Sequence, residues 1–223
     1  MMRAASIIDR RWSHLPNRMA SAELKIRRCE PRDEAAVYAV CLKTGDAGND
    51  ATHLHDDPRA LGHIYVGLYM LLEPELAFVL EDQIGVCGYV LGALDTVKFY
   101  HAYLMEWLPR IRAQHPEPTG DPASWTPTQK IYYEYYHPDI FYPQPIEAYP
   151  SHMHIDLLPR AQAQGWGARM VHTLLDELTH RGSPGVHLAM NMANYRAYAF
   201  YRKLGFHELA RTDDTIYMGK RLN

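Results

Sequence analysis

The sequence predicts an α/β protein: a mixed, mostly antiparallel central sheet with helices on both faces. Three observations predict it. Short apolar runs with period-two alternation recur between stretches of helical spacing, in the order strand, two helices, hairpin, irregular stretch, strand, helix, strand, helix, hairpin. A strand, a glycine-bearing loop and a helix stand together from His152 to Leu178, and the rest of the chain is arranged around them. No internal repeat or low-complexity segment competes with this reading, and 223 residues suit one domain with a substantial core.

Taken in order, residues 1–21 read as an N-terminal extension and residues 22–223 as the domain. The extension is basic and lacks the long apolar core of a secretion signal. Glu23 to Arg28 reads as the first strand. Pro31 near a first turn opens a helix with Ala36, Val37, Val40 and Cys41 on its apolar face. Thr44 to Asp57 is rich in turn formers and reads as loop. From Pro58, Leu61, Ile64, Tyr65, Leu68 and Leu72 keep helical spacing until Glu73-Pro74 ends it. Leu76 to Glu81 and Ile84 to Leu94 read as two strands of a hairpin, turning at Asp82-Gln83.

Asp95 to Pro150 is the irregular part. Lys98 to Gln114 keeps helical spacing, His115 to Thr128 reads as loop on its prolines, and Lys130 to Tyr149 is dense in tyrosine and proline. So long a connection inside a compact domain calls for a functional reason, and residues 95–150 are expected to form a substrate-side insertion. The tyrosines from Tyr132 to Tyr149 suit a pocket wall or a dimer face equally. Beyond it, His152 to Leu157 alternates Met153, Ile155 and Leu157 against His152, His154 and Asp156, and Pro159 stops it. Met170, Val171, Leu174, Leu175 and Leu178 give the following helix its apolar face. Val186 to Met190 is a strand, Asn194 to Leu204 a helix stopped by Gly205, and Phe206 to Ala210 with Thr215 to Lys220 a last hairpin.

Composition narrows the function classes. A net charge of −3 carries no basic footprint for nucleic acid. No run of 18 apolar residues marks a membrane span. Cys29, Cys41 and Cys87 lie far apart without a C-x-x-C pattern, which suits reduced thiols and a cytoplasmic protein. The run His53-Leu54-His55-Asp56-Asp57 holds an H-x-H pair, but no further cluster at ligand spacing joins it, and no metal is expected.

The chemistry-bearing string is Gln162-Ala163-Gln164-Gly165-Trp166-Gly167, of the form Gln-x-x-Gly-x-Gly, set between a strand and a helix. Glycines there let backbone turn tightly and approach a ligand, and the helix that follows points free N–H groups and its positive dipole end outward, a site for phosphate. The string lacks the lysine and Ser/Thr of a P-loop and the three glycines of a dinucleotide fingerprint. A second string, Asn194-Tyr195-Arg196-Ala197-Tyr198-Ala199-Phe200-Tyr201-Arg202-Lys203-Leu204-Gly205-Phe206, follows the pattern N-x-x-A-x-x-F-Y-x-K-L-G-F.

These two strings resemble the GNAT superfamily of acetyl-CoA-dependent N-acetyltransferases, closely over Ile155 to Phe206 and consistently over Leu24 to Leu222. The segments LKIRRCEPRDEAAVYAVC and LAFVLEDQIGVCGYVLGALD and the region of Trp107 look like the C-terminal acetyltransferase-like domain of animal O-GlcNAcases. The resemblance implies a GNAT fold, with the sheet splayed at the cofactor strand and acetyl-CoA as co-substrate. It implies that backbone of Ile155, Leu157 and Leu158 pairs with the pantetheine amides. Gln162, Ala163, Gln164, Gly165, Trp166, Gly167 and Ala168 would surround the pyrophosphate, with Trp166 packing beside it. Asn194 and Tyr198 would lie along the cofactor arm. Tyr201 would face the thioester sulfur and protonate the departing thiolate.

A neutral amine must attack, so a base is needed. Asp156 ranks first, then His154, with Glu134 and His152 further out. Asp156 and His154 share a face of their strand, opposite Ile155 and Leu157. The function expected is direct acetyl transfer to an amine on a small molecule or peptide, in a protein that could pair as a homodimer. The alternative is a catalytically silent acyl-CoA-binding or protein-interaction module, as the likeness to the O-GlcNAcase domain permits. That domain lacks the intact glycine-rich loop, which this chain has.

Overall fold

The structure, a computed structural model, describes residues 24–222; the expected extension at residues 1–21 lies outside the described residues. The strands are β1 (Lys25–Arg28), β2 (Ala77–Asp82), β3 (Gly85–Ala93), β4 (Ser151–Leu157), β5 (Gly185–Asn191), β6 (His207–Arg211) and β7 (Thr215–Arg221). They form one seven-stranded sheet in the order β1-β2-β3-β4-β5-β7-β6. Every neighbouring pair is antiparallel except β4 and β5, which run parallel. The mixed, mostly antiparallel α/β sheet expected from the sequence is therefore present. At the outer edge the guanidinium of Arg27 holds Asp33 and Glu81 at once, tying β1 to the turn after it and to β2.

Both faces are covered. The helix α7 (Trp166–His180) buries Met170, Val171, Leu174, Leu175 and Leu178 on one face, each contributing about 1.5–3 kcal/mol of burial before entropy is counted. A Cβ at Gly92 would lie 2.7 Å from Leu174, so this close approach of helix to strand requires glycine there. The opposite face is covered by α1 (Glu34–Leu42) and α3 (Gly67–Leu72), with α2 (Ala60–Tyr65) packed against α1. The last helix, α8 (Tyr195–Lys203), precedes the final hairpin, and Gly205 ends it at φ +84°.

Two expectations are corrected. The helical stretch from Pro58 is two helices, broken at Val66, whose backbone lies at φ −135°. The indole N–H of Trp107 donates to the carbonyl of His63 at 2.7 Å, an acceptor that a continuous helix would have offered to the N–H of Gly67. The second correction concerns residues 95–150, which are mostly helical. There α4 (Thr96–Ala102) runs through a π-helical segment, Tyr103–Trp107, into α5 (Leu108–Arg112), and α6 (Pro127–Tyr136) follows. A reciprocal capping box between Thr126 and Gln129, with proline at the first helical position, starts α6 inside the stretch read as loop.

Three of the tyrosines between Lys130 and Tyr149 hold elements together. Tyr135 is fully buried and donates to the carbonyl of Ala60. Tyr132 donates to Asp57, and Tyr136 to the carbonyl of His115. They fasten α6 to α2 and to the end of α5.

His63 sits beneath α6, beside His115 and Tyr135, and burial lowers its pKa to about 4. Between pH 6.5 and about 4 the unfolded chain binds a proton that native His63 refuses, so stability falls as pH drops through that window. Buried His152 and His187 act in the same direction. Urea unfolding at pH 7 and pH 5 should show wild type losing roughly 2 kcal/mol more than His63→Gln. Equal losses in the two proteins would contradict this assignment.

Candidate active site

The site begins where the sheet parts. The strands β4 and β5 pair at only two positions, Ser151 with Val186 and His152 with His187. Beyond them β4 continues to Leu157 along β3 alone. The N–H of Leu158 bonds to the carbonyl of Cys87, which fixes the phase of the β3–β4 ladder. Alternation then points the N–H and C=O of Met153, Ile155 and Leu157 into the gap. A cleft of about 1450 Å³ follows it, lined among others by Ile155, Asp156, Gly165, Asn194 and Tyr201.

Of the three residues expected along a pantetheine arm, Ile155 and Leu157 line this cleft. Leu157 already gives its carbonyl to the side-chain amide of Gln162 at 2.7 Å. Leu158 does not join them: its side chain is buried in the core and its N–H is spent on Cys87.

The turn after Pro159 reaches α7 through Ala163 at φ 59° and Gly165 at φ 81°, both left-handed. The first helical hydrogen bond runs from the N–H of Arg169 to the carbonyl of Gly165. The N–H groups of Trp166, Gly167 and Ala168 therefore precede any helical bond and face outward with the helix dipole. A Cβ at Gly165 would meet nothing within 4 Å, whereas one at Gly167 would lie 3.3 Å from the ring of Phe200. The first glycine answers to backbone conformation and the second to the approach of α8.

Around this end of the cleft, Gln162, Ala163, Gly165, Gly167 and Ala168 form the wall. Gln164 and Trp166 stand outside it. The amide of Gln164 caps the carbonyl of Arg160, and Trp166 carries the guanidinium of Arg169 4.5 Å above its ring.

The α8 wall sorts the second string. Asn194 caps the helix, accepting from the N–H of Ala197 at 3.0 Å, and lines the cleft. Tyr201 is buried and also lines it; burial, and then the charge of Asp156, push its phenol well above the usual range. Tyr198 points elsewhere, donating to Glu208 at 2.7 Å. The structure thus separates Tyr198 from the cleft wall: it lies within one turn of Tyr201, but Glu208 on the last hairpin holds its hydroxyl.

On the other face of β4 a polar cluster gathers. The hydroxyl of Tyr89 lies 2.6 Å from Oδ2 of Asp156 and donates to it, since the carboxylate can only accept. Its single proton spent, the Tyr89 oxygen accepts from Nε2 of His154 at 2.9 Å. The same Nε2 is 3.2 Å from Oδ2 of Asp156. That arrangement fixes His154 as its Nε2–H tautomer and leaves Nδ1 with the lone pair. Tyr65 stacks on the His154 ring, 5.7 Å between centroids. Oδ2 of Asp156 is thereby engaged by two donors and orients its neighbour, while His154 keeps the free nitrogen.

Tyr89 escaped the sequence reading because it meets Asp156 only through strand pairing, 67 residues apart. Tyr65 escaped because its helical spacing alone marked it as core. Among the described residues no group of three or more His, Cys, Asp or Glu is placed to hold a metal ion. Among them, too, no helix is long and apolar enough to cross a membrane.

Comparison with known proteins now gives this geometry a family. Residues 131–206 match the model of the acetyltransferase (GNAT) family. The crystal structure of a protein called SsHAT superposes with a TM-score of 0.83 at 39% identity, covering 90% of this chain and 98% of that one. The chain belongs to the GNAT acetyltransferase family. Its curated relatives include the O-GlcNAcase of Rattus norvegicus, 29% identical over 202 residues. The match covers 88% of this chain but 22% of that protein's length. Among GNAT structures of similar fold, yncA from Salmonella typhimurium, described with its cofactor acetyl-CoA, has a TM-score of 0.50 at 15% identity and covers 90% of this chain and 94% of that one.

The Tyr89 bridge makes a prediction. In Tyr89→Phe, Asp156 and His154 both lose the buried hydroxyl that joins them. Urea unfolding should show a loss of about 1–3 kcal/mol of stability. Unchanged stability would show that Tyr89 does not hold the pair together.

Proposed function

We propose that this GNAT protein is an acetyl-CoA-dependent N-acetyltransferase that passes acetyl directly from the CoA thioester to an amine. One observation carries the reading. The sheet opens beyond His152 and His187, and the free backbone edge this creates on Ile155 leads to the unbonded N–H groups of Trp166, Gly167 and Ala168. An extended amide arm ending in a pyrophosphate needs such an edge next to such a helix start. The fold neighbour yncA, described with acetyl-CoA, supports the same reading.

The residues then divide the work. Backbone N–H groups on the gap side of β4 hold the cofactor arm and the carbonyl oxygen as charge develops on it. His154 Nδ1 takes the proton from the attacking amine nitrogen, and Asp156 steadies the imidazolium that results. As the new C–N bond forms and the C–S bond breaks, Tyr201 gives its proton to the departing sulfur. Burial keeps that phenol protonated until then. Asp156, ranked first as base on the sequence, becomes the positioning residue, because its oxygen is already engaged by Tyr89 and His154. Cys41 also reaches the cleft, but burial, and then the charge of Asp156, raise its pKa and hold it as the thiol, which disfavours a covalent acetyl-cysteine route.

The first test is calorimetric titration with acetyl-CoA, followed by thiol release across a panel of amines. Binding with turnover is expected. Binding without thiol release would favour the silent acyl-CoA-binding module, and no binding would overturn both readings. Tyr201→Phe should lower kcat by about 10²-fold while leaving acetyl-CoA affinity within about twofold. Unchanged kcat would remove Tyr201 from the proton transfer. Gly165→Asp should weaken acetyl-CoA binding by about tenfold or more, since φ 81° strains any side chain and the added charge repels pyrophosphate. Unaltered affinity would place the phosphates elsewhere.

A further inference from the structure

The break between α2 and α3 is wedged open from outside the two helices. The π-helical segment ends at Trp107, whose indole N–H donates to the carbonyl of His63 at 2.7 Å. The edge of the same ring fills the space beside Gly67, where a Cβ would lie 2.6 Å from Cζ2 of the indole. On another side of the indole a cavity of about 330 Å³ opens, lined among others by Tyr38, His63, Arg110 and Ile111. Packing therefore leaves the indole room to withdraw, and the hydrogen bond to His63 decides where it stands.

Two residues after His63, the ring of Tyr65 lies on His154, with centroids 5.7 Å apart and planes 21° from parallel. Across the break, Tyr69 meets His152 edge-on at 5.3 Å. Residues four apart along a helix are separated by about 6 Å, and residues two apart along a strand by about 6.6 Å. One placement of the helix pair over β4 therefore sets both tyrosines against both histidines. Tyr69 is buried and packs on Phe99 with centroids 4.4 Å apart, so the core fixes it. Tyr65 is 42% exposed, and its ring depends on where α2 ends.

We propose that Trp107 is a positioning residue: by holding the His63 carbonyl it sets the end of α2, and so keeps the ring of Tyr65 against His154. Its place in the reaction rests on the reading of His154 as the base. The hydrogen bond between Nε2 and Tyr89 restrains one edge of the imidazole, and the stacked ring restrains its plane. Together they hold Nδ1 in one direction, which a proton transfer from a bound amine requires.

The test uses the full chain and reads the imidazole directly. In wild type, NMR should show nuclear Overhauser contacts between the ring protons of Tyr65 and His154. Trp107→Phe keeps a ring near the break but cannot donate to His63, and it should lose those contacts. Its His154 ring resonances should move to the positions they take in Tyr65→Leu, and the double variant should show no further movement, because the two residues act in series. Gly67→Ala, which displaces the indole without removing it, should give the same shift. A retained far-ultraviolet circular dichroism spectrum reports that each variant is folded. An unmoved His154 in Trp107→Phe or Gly67→Ala, or shifts that add in the double variant, would overturn the proposal. Turnover with an amine that releases thiol then separates this relay from the reading it rests on. The kcat should fall about tenfold or more in Trp107→Phe and in Tyr65→Leu, with KM for acetyl-CoA unchanged, and Tyr65→Phe, which keeps the ring, should restore it. Coupled shifts with kcat unchanged would take His154 out of the proton transfer and leave the relay standing.

Discussion

The rest of the structure depends on a pairing that stops. The strands β4 and β5 are the parallel neighbours in an otherwise antiparallel sheet, and they hold one another for two rungs only. A buried strand ordinarily satisfies its N–H and C=O groups on both sides. Here Ile155 turns both of its groups, and Leu157 its N–H, into an open cleft at the centre of the sheet. An unpaired edge there is an expensive feature unless an extended partner completes it, and the surrounding elements are arranged to admit one. The α7 N-terminus stands at the wide end of the gap, α8 forms its second wall, and two histidines, His152 and His187, close its apex with rings 5.7 Å apart.

The apex is buried, and its electrostatics follow. His152 and His187 are held neutral by burial, and Tyr201 is held protonated by it. Asp156, partly exposed, has two donors on one oxygen. The cluster separates roles by environment: a carboxylate that orients, an imidazole with one nitrogen free, and a phenol that retains its proton. The π-helical turn at Tyr103–Trp107 serves the same site, because it brings Tyr103 to the cleft while Trp107 reaches back to cap His63.

What the sequence made legible was local. The strand from His152, the turn at Gly165, the helix after it and the cap at Asn194 lie within short windows where spacing and residue type determine the backbone. Their placement around one cleft was legible only through the family resemblance. The partners of Asp156 were not legible, because Tyr89 reaches it across a strand pair that no short window contains. Tyr198 was misplaced because a motif names positions along a helix without naming a distant partner, here Glu208, that claims the side chain. Leu158 was misplaced by one residue of alternation, the step that turns backbone from gap to core. The start of α6 was written in Thr126, Pro127 and Gln129, but the neighbouring prolines and tyrosines outweighed a capping signal that holds only three residues.

The central claim is that the unpaired edge of β4 and the start of α7 are two parts of one acetyl-CoA site. Amide hydrogen exchange with and without acetyl-CoA tests it residue by residue. The account predicts new protection at the N–H of Ile155 and at Trp166, Gly167 and Ala168, with little change along the already paired strand β2. Binding that leaves those amides exchanging as before, or protects a different surface, would contradict it.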